Sequence, residues 1–400
     1  MGLNDTPSGE RLHIGFFGRR NAGKSSLVNA VTGQDLAVVS DVLGTTTDPV
    51  YKSMELLPLG PVMIIDTPGF DDTGHLGELR VKKTKNVLNK TDIAILVIDA
   101  QSGLSDCDRE LIALFQAKNI RYIVVYNKSD LLAKIPQAGA HEIYASAQTG
   151  LNIFELKELI GATVPADLHP TPLIADLVCP NDFVVLVVPV DKAAPKGRLI
   201  LPQQQTIRDL LEAGAVSVVV KETELAETLK NIGKKPKMVV TDSQAFAEVS
   251  KVVPLDIPLT SFSILMARYK GFLEDALTGV SAIDNLKDGD TVLVAEGCTH
   301  HRQCNDIGTV KIPRWLKEKT GKDLNYVTVS GTEFPDDLSP YALVVHCGGC
   351  MLKEREVTYR SHCAVDQGVP ITNYGILIAH VTGILKRSLE VLPDMAAKIK

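Results

Sequence analysis

The chain has 400 residues, more than one ordinary core holds at roughly 100–200 residues per domain. With 45% hydrophobic and 22% charged residues, its composition excludes a disordered or fibrous polypeptide. A net charge of -6 argues against a dedicated nucleic-acid binder, whose surface must be basic to hold a polyanion.

The opening stretch, MGLNDTPSGERLH, has neither a basic leader nor an apolar core. No apolar run reaches the roughly 18 residues that span a bilayer. The expectation is a cytoplasmic chain with no membrane and no nucleic-acid partner. Over the first 165 or so residues, short β-branched runs at 12–17, 62–66, 93–99 and 122–127 alternate with helical patterns, as in a mostly parallel sheet covered by helices. The run 163–172, TVPADLHPTP, carries three prolines and closes this block. Beyond it, 183–190 reads as a strand and 203–213 as a helix stopped by Gly214. Residues 216–220, 224–232, 238–241 and 244–252 read strand, helix, strand, helix. A long helical stretch at 261–286 precedes strands at 291–295, 326–329 and 343–345. The fold class is α/β throughout, an N-terminal mostly parallel sheet followed by two further α/β domains, with divisions 1–167, 168–265 and 266–400. No internal repeat is legible.

Residues 18–25, GRRNAGKS, fit GxxxxGK[ST] between the strand LHIGFF and a helix, where a phosphate loop has to lie. Its glycines let backbone N–H groups wrap phosphates, Lys24 supplies a point charge, and the Ser25 hydroxyl can ligate Mg2+. Asp66-Thr-Pro-Gly69 ends a strand, so that Asp66 reaches Mg2+ and the Gly69 N–H faces the γ-phosphate. Asn127-Lys128-Ser129-Asp130 ends another, and the Asp130 carboxylate can accept from guanine N1–H and the exocyclic amine, a donor pair adenine lacks. Ser146-Ala147-Gln148 would close over the base. Four such elements in order specify GTP.

On these motifs the block resembles the TrmE/Era-like, translation-factor-class GTPases. The resemblance implies switch I at 44–48, GTTTD, with Thr46 a ligand of Mg2+ and the γ-phosphate. Lys24, Thr46 and Gly69 become the catalytic set, and Asn21, Ala22, Gly23, Ser26, Lys128 and Ala147 further nucleotide contacts. Phe70 stands where Ras-like proteins place the glutamine that orients water, and a phenyl ring cannot do that. Asn21 matches the asparagine that holds K+ in potassium-activated members. The simpler reading of Asn21, a side chain steadying its own loop, stays open.

Seven cysteines, an odd number, argue against a disulfide framework. Cys298, Cys304, Cys347, Cys350 and Cys363 all fall within the last 110 residues. CTHH begins at Cys298 and HCGGC at His346, each just after a strand, where open α/β sheets build their sites. Cys347 and Cys350 at C-x-x-C spacing with Cys298 can grip a soft metal centre. From spacing alone a Cys3His zinc site using His300 or His346 is an equal candidate. A redox C-x-x-C lacks a thioredoxin-like context.

The pattern Cys-x-His, long gap, His-Cys-x-x-Cys behind such a GTPase resembles the HydF family of di-iron (FeFe) hydrogenase maturation GTPases, over essentially the whole chain and including PKGRLILPQQQTIRDLLEAGA. The resemblance implies a GTP-binding domain at 1–167, a dimerisation domain at 168–265 and a cluster domain at 266–400. It implies a 4Fe-4S cluster on Cys298, Cys347 and Cys350, with His300 and His346 as candidate fourth ligands or supporting donors. The activity implied is GTP hydrolysis joined to a scaffold or carrier role. A homodimer would receive a transient di-iron precursor made with two radical-SAM maturases and deliver it to apo-hydrogenase. The rival from another class is a TrmE/Era-type RNA- or ribosome-associated GTPase with a structural zinc domain.

Overall fold

A computed structural model describes residues 10–34, 49–56, 59–69, 87–164, 171–189, 199–297, 306–331 and 333–397. Thr46, Phe70, Cys298, His300 and Cys304 lie outside the described residues. The chain forms two compact units, Met1–Leu168 and His169–Lys400.

In the first unit the elements run β1 (Leu12–Phe17), α1 (Lys24–Thr32), β2 (Val50–Leu56), β3 (Gly60–Asp66), β4 (Ile93–Asp99), α2 (Asp106–Ala117), β5 (Arg121–Asn127), β6 (Glu142–Tyr144) and α3 (Ile153–Thr163). The sheet order is β2-β3-β1-β4-β5-β6, parallel except for β2, which pairs antiparallel with β3 at the edge. β1 is buried along its whole length because it packs on both faces. Ile14 and Phe16 enter one apolar cluster with Leu27 of α1, and Phe17 enters another with Phe115 of α2. The C-terminal ends of β1, β3 and β5 therefore share one edge, and the three phosphate and base motifs follow directly from them.

The second unit holds two four-stranded parallel sheets. The first uses β7 (Phe183–Val187), α4 (Leu201–Glu212), β8 (Val216–Val220), α5 (Leu225–Asn231), β9 (Met238–Thr241), α6 (Phe246–Val252) and β10 (Leu259–Ser261), followed by α7 (Phe262–Tyr269) and α8 (Leu273–Val280). The second uses β11 (Thr291–Glu296), α9 (Ile312–Thr320), β12 (Asn325–Ser330), β13 (Leu343–His346), α10 (Glu354–Asp366) and β14 (Ile371–Asn373), followed by α11 (Tyr374–Val381). The helical stretch expected at 261–286 is broken: α7 ends at Tyr269, and Gly271 at φ 74 turns the chain before α8. The division expected at 265/266 falls inside α7.

The two sheets have one topology, β10-β9-β7-β8 and β14-β13-β11-β12. Their registers agree pair by pair. Phe183 opposite Val216 matches Thr291 opposite Asn325, and Val184 opposite Met238 matches Val292 opposite Leu343. Val239 donates to the Pro258 carbonyl as Val344 does to that of Pro370. Ser261 caps α7 through the Ile264 N–H as Asn373 caps α11 through the Ile376 N–H. Gly271 and Gly383 close these helices, both at φ 74. Between 259–277 and 371–389 the identities Thr260/Thr372, Ile264/Ile376, Leu265/Leu377, Ala267/Ala379, Gly271/Gly383, Leu273/Leu385 and Leu277/Leu389 fall at one offset. The expectation of no repeat is thus corrected: the second unit is a tandem of two βα copies.

The copies meet about a local two-fold axis. A β-carbon on Gly375 would stand 2.6 Å from that of Ser263, its own counterpart. Their apolar faces merge into one cluster that includes Val185, Leu259 and Ile264 of the first copy and Val294, Ile376 and Leu377 of the second. Among the described residues no helix is long and apolar enough to cross a membrane.

Candidate nucleotide and metal sites

The phosphate loop is shaped by backbone that only glycine tolerates. Gly18 has φ 138, and a β-carbon there would lie 2.2 Å from the Val97 carbonyl oxygen. Gly23, at φ 86, opens α1 with no side-chain cap, and the first turn has no acidic residue. A helix start of this kind suits an anion, which the helix dipole also favours. Lys24 is buried, and its Nζ donates to the Gly18 and Arg19 carbonyls at 3.0 and 2.8 Å. The Ser25 hydroxyl donates to Asp66 Oδ2 at 2.6 Å. Asp66 Oδ1 is buried without a hydrogen-bond partner, an orphaned oxygen of the kind a divalent cation satisfies. Burial raises the Asp66 carboxyl, against the pull of Ser25 and Lys24. Gly69 lies against the loop, where a β-carbon would come 2.9 Å from the Arg20 nitrogen. Asn21 is exposed at φ 61, a left-handed conformation that asparagine tolerates.

The base end is joined to the phosphate end by one side chain. Asn127 Nδ2 donates to the Ala22 carbonyl at 3.0 Å, while its Oδ1 accepts from the Ala147 N–H at 3.1 Å. Lys128, at φ 61, pairs with Asp99 at 2.7 Å. Asp130 is exposed and Ser146 buried, the latter holding the Thr149 N–H at 3.2 Å. One contact was not read from the sequence. Arg19 reaches out of the loop to Asp108 at 3.4 Å, in the capping box that Ser105 and Asp108 form at the start of α2. GxxxxGK[ST] leaves position 19 unspecified, so nothing in the motif signalled it.

In the second unit, Cys347 and Cys350 follow β13 in one turn, with Gly349 at φ 64. Cys347 Sγ accepts from the Gly297 N–H at 3.0 Å and from the Gly349 N–H at 3.4 Å. Gly297 is the residue before Cys298. Burial pushes the Cys347 thiol up, and the two N–H donors and Arg360 pull it back. Burial, then the neighbouring Cys347, takes Cys350 up to about 11, while Lys270 pulls down. N–H donors on sulfur and neighbouring cations suit a metal–thiolate centre, since binding must strip these protons. Among the described residues, no group of three His, Cys, Asp or Glu side chains forms a metal cage. Cys363 lies on α10 against another cluster, beside Leu338 and Val344.

His346 is buried with both ring nitrogens engaged. Nδ1 lies 2.6 Å from the Cys347 carbonyl oxygen, which can only accept, so Nδ1 carries the proton. Nε2 then accepts from Arg360 Nη1 at 3.4 Å. Burial, with Arg360 beside it, pushes the imidazole down to about 3, so it is neutral. Arg360 is itself wholly buried. It donates to Glu356 Oε1 at 3.1 and 3.0 Å and to the Gly331 carbonyl at 2.8 Å, and lies 5.2 Å from the centre of the Phe334 ring. Nothing in the sequence singles out Glu356 and Arg360, since four apart on a polar helix is also the spacing of a solvated pair.

A glycine-built phosphate loop, a paired serine and aspartate, and an asparagine tying loop to base motif define the first unit as a guanine-nucleotide P-loop GTPase domain. The chain matches the 50S ribosome-binding GTPase family over residues 13–128, the Hydrogen maturase F dimerization domain over 173–271 and the Hydrogen maturase F tetramerization domain over 274–391. The last two span more than half of the chain, which belongs to the hydrogen maturase F (HydF) family. Among curated relatives, GTPase Der of Wolinella succinogenes is 34% identical over 174 residues, 40% of this chain and 36% of that protein. The tRNA modification GTPase MnmE of Thiobacillus denitrificans is 32% identical over 142 residues, 35% of this chain and 31% of that protein. The chain spans about a third of the length of these two relatives. Among solved structures, Aquifex aeolicus Era bound to GDP.AlF4- is similar at a TM-score of 0.36 and 21% identity, over 55% of this chain and 98% of that one.

Proposed function

We propose that the protein hydrolyses GTP and serves as an iron–sulfur scaffold and carrier in FeFe-hydrogenase maturation. It would work in the cytoplasm as a homodimer, receiving a di-iron precursor from two radical-SAM maturases and passing it to apo-hydrogenase. The domains divide at 167/168 and 265/266 in this reading. In the GTPase domain, Lys24 is the point charge for the β and γ oxygens, Ser25, Asp66 and Thr46 hold Mg2+, and Gly69 presents its N–H to the γ-phosphate. Mg2+, when bound, neutralises phosphate charge. Asn21, Ala22, Gly23 and Ser26 line the phosphates, and Asn127, Lys128, Asp130, Ser146 and Ala147 the base. Asn21 would hold K+, and the ion would supply charge stabilisation where Phe70 stands in place of the glutamine.

One observation carries the metal half: the Gly297 N–H on Cys347 Sγ sets the residue before Cys298 against the C-x-x-C turn. Cys298, Cys347 and Cys350 hold the 4Fe-4S cluster in this reading. Three thiolates leave one iron with an exchangeable ligand, the opening a carrier needs. His346, with both nitrogens engaged, supports the turn, and His300 is the histidine left for the fourth position. Anaerobic iron and sulfide analysis with an electron paramagnetic resonance spectrum tests the assignment. A 4Fe-4S signal is expected. Stoichiometric zinc without iron would overturn the carrier role and return the zinc-bearing GTPase reading.

A further inference from the structure

The two copies of the βα unit separate what the scaffold needs from what the cysteine turn adds. At equivalent places after β9 and β13, the first copy has Thr241-Asp242-Ser243-Gln244-Ala245 and the second His346-Cys347-Gly348-Gly349-Cys350. The helix that follows also differs. α6 stops at Val252, whereas α10 runs on to Asp366, and counted from the helix starts Arg360 stands where α6 has the apolar Val252. At the end of α7, Lys270 occupies the position that Thr382 holds after α11. Lys270 is wholly buried, its Nζ lies 5.1 Å from the centre of the Tyr269 ring, and its carbonyl accepts from Thr358 of α10 at 3.3 Å. Tyr269 and Cys350 pack on the same apolar cluster. Both buried cations therefore stand on the cysteine side of the local axis, and the equivalent positions across it carry neither.

We infer that Lys270 and Arg360 are positioning and charge-balancing residues for a metal–thiolate centre on the Cys347–Cys350 turn. The inference rests on the metal-carrier reading. Lys270 supplies a fixed positive charge from the first copy, and Arg360 fixes the turn through His346 and the Cys347 carbonyl. The chemistry gives the sign. Metal binding converts neutral thiols into thiolates, so three thiolates around a divalent ion leave the site with a net negative charge, which a buried cation favours. A buried ammonium costs several kcal/mol of desolvation, which the fold itself does not require, since the equivalent Thr382 of the second copy stands exposed. Arg360 acts through its shape, with Glu356 beside it as counter-charge. What it contributes is a planar fork bridging Glu356, Gly331 and His346, which a lysine cannot reproduce.

The test uses the full chain and two probes. Anaerobic Co2+ titration of apo protein reads thiolate-to-metal charge transfer, and iron-reconstituted protein is titrated by potential. Lys270→Met should weaken Co2+ binding at least tenfold, with Lys270→Arg within about twofold of wild type. In the iron form the same Lys270→Met variant should show a tenfold lower reduced-to-oxidised ratio at a fixed poise, or about 59 mV for a one-electron couple. Arg360→Lys and the charge-neutral pair Glu356→Leu with Arg360→Met should both weaken Co2+ binding, and both should lose the Nδ1-protonated signature of His346 in the 15N histidine spectrum. The pair keeps the test sound if an unpaired Glu356 unfolds a single variant. Unchanged Co2+ affinity and potential in Lys270→Met, with Arg360→Lys like wild type, would overturn the inference. Wild type that takes no iron, while Co2+ affinity still falls in these variants, sinks the iron–sulfur reading and leaves the cation pair standing.

Discussion

The two copies in the second unit fold alike around different chemistry. In the first, the turn after β9 is opened by Asp242, whose side chain accepts from the Gln244 N–H in an ordinary cap. In the second, the corresponding turn carries two half-buried thiols and a neutral histidine, beside a guanidinium with no solvent exposure. Strand register, helix caps and closing glycines are the same in both. The scaffold therefore does not depend on the cysteines, and the metal chemistry proposed for them would be an addition to a frame that stands without it.

The strongest way to break that view is to remove the thiols. Cys347→Ala and Cys350→Ala should each lose most iron after anaerobic reconstitution, because alanine replaces no anionic ligand. For Cys350→Ala, stability should move by no more than about 1 kcal/mol, since Ala245 fills the equivalent place in the first copy. Trp315, the single tryptophan, lies on α9 against the second unit's core and reports that unit's urea unfolding. Unfolding of the apo variant at much lower urea would show the thiols to be structural. Cys304→Ala and Cys363→Ala should keep their iron.

Next in size is the separation of the two sites. Lys24→Ala and Ser25→Ala should lower GTP turnover about 10²-fold or more, as for other lost transition-state donors, with iron content unchanged. Iron loss in either variant would show coupling between the units. Asp130→Asn should erase the preference for GTP over ATP, measured by competition.

Acid should then separate the two copies. His346 is held at about 3, below its ordinary 6.5, so unfolding takes up a proton at any pH between these values. Stability is intact above 6.5 and is lost as pH falls, by about 1.4 kcal/mol per pH unit from this residue. His346→Gln should flatten the Trp315-monitored profile between pH 6.5 and 5, and an unchanged slope would refute the buried neutral imidazole. In the first unit Asp66 has the opposite relation, a carboxyl raised by burial. Its ionisation costs stability above the unfolded value of 3.8, so Asp66→Asn should stabilise nucleotide-free protein at neutral pH by about 1 kcal/mol while abolishing Mg2+-dependent turnover. The smallest effect tests the copies themselves. Gly271→Ala and Gly383→Ala, both at φ 74, should cost about 1–2 kcal/mol each, and equally.

The nucleotide site was legible because its motifs are contiguous and each sits between a strand and a helix or loop. The tandem was not. Met238–Thr241 and Leu343–His346 correspond at one spacing, and Leu259–Ser261 and Ile371–Asn373 at another, because α10 is longer than α6. No single period survives that difference. Strands of three residues such as β6, β10 and β14 carry too little alternation to be read. Arg360 was hidden for another reason. Helix α10 is polar on average, and only the tertiary packing of Phe334, Gly331 and His346 turns that face inward.

The local two-fold axis has a consequence for assembly. Two separate chains joined through such an interface would come apart on dilution, and any centre lined by both would be lost with it. Here Lys270 and Phe272 of one half and His346 of the other are on a single polypeptide, with the Phe272 ring 5.9 Å from the imidazole. Their effective concentration is fixed by the linker rather than by the cell. Whatever larger association the protein enters or leaves, these neighbours of the cysteine turn are contributed intramolecularly and do not depend on how much protein is present.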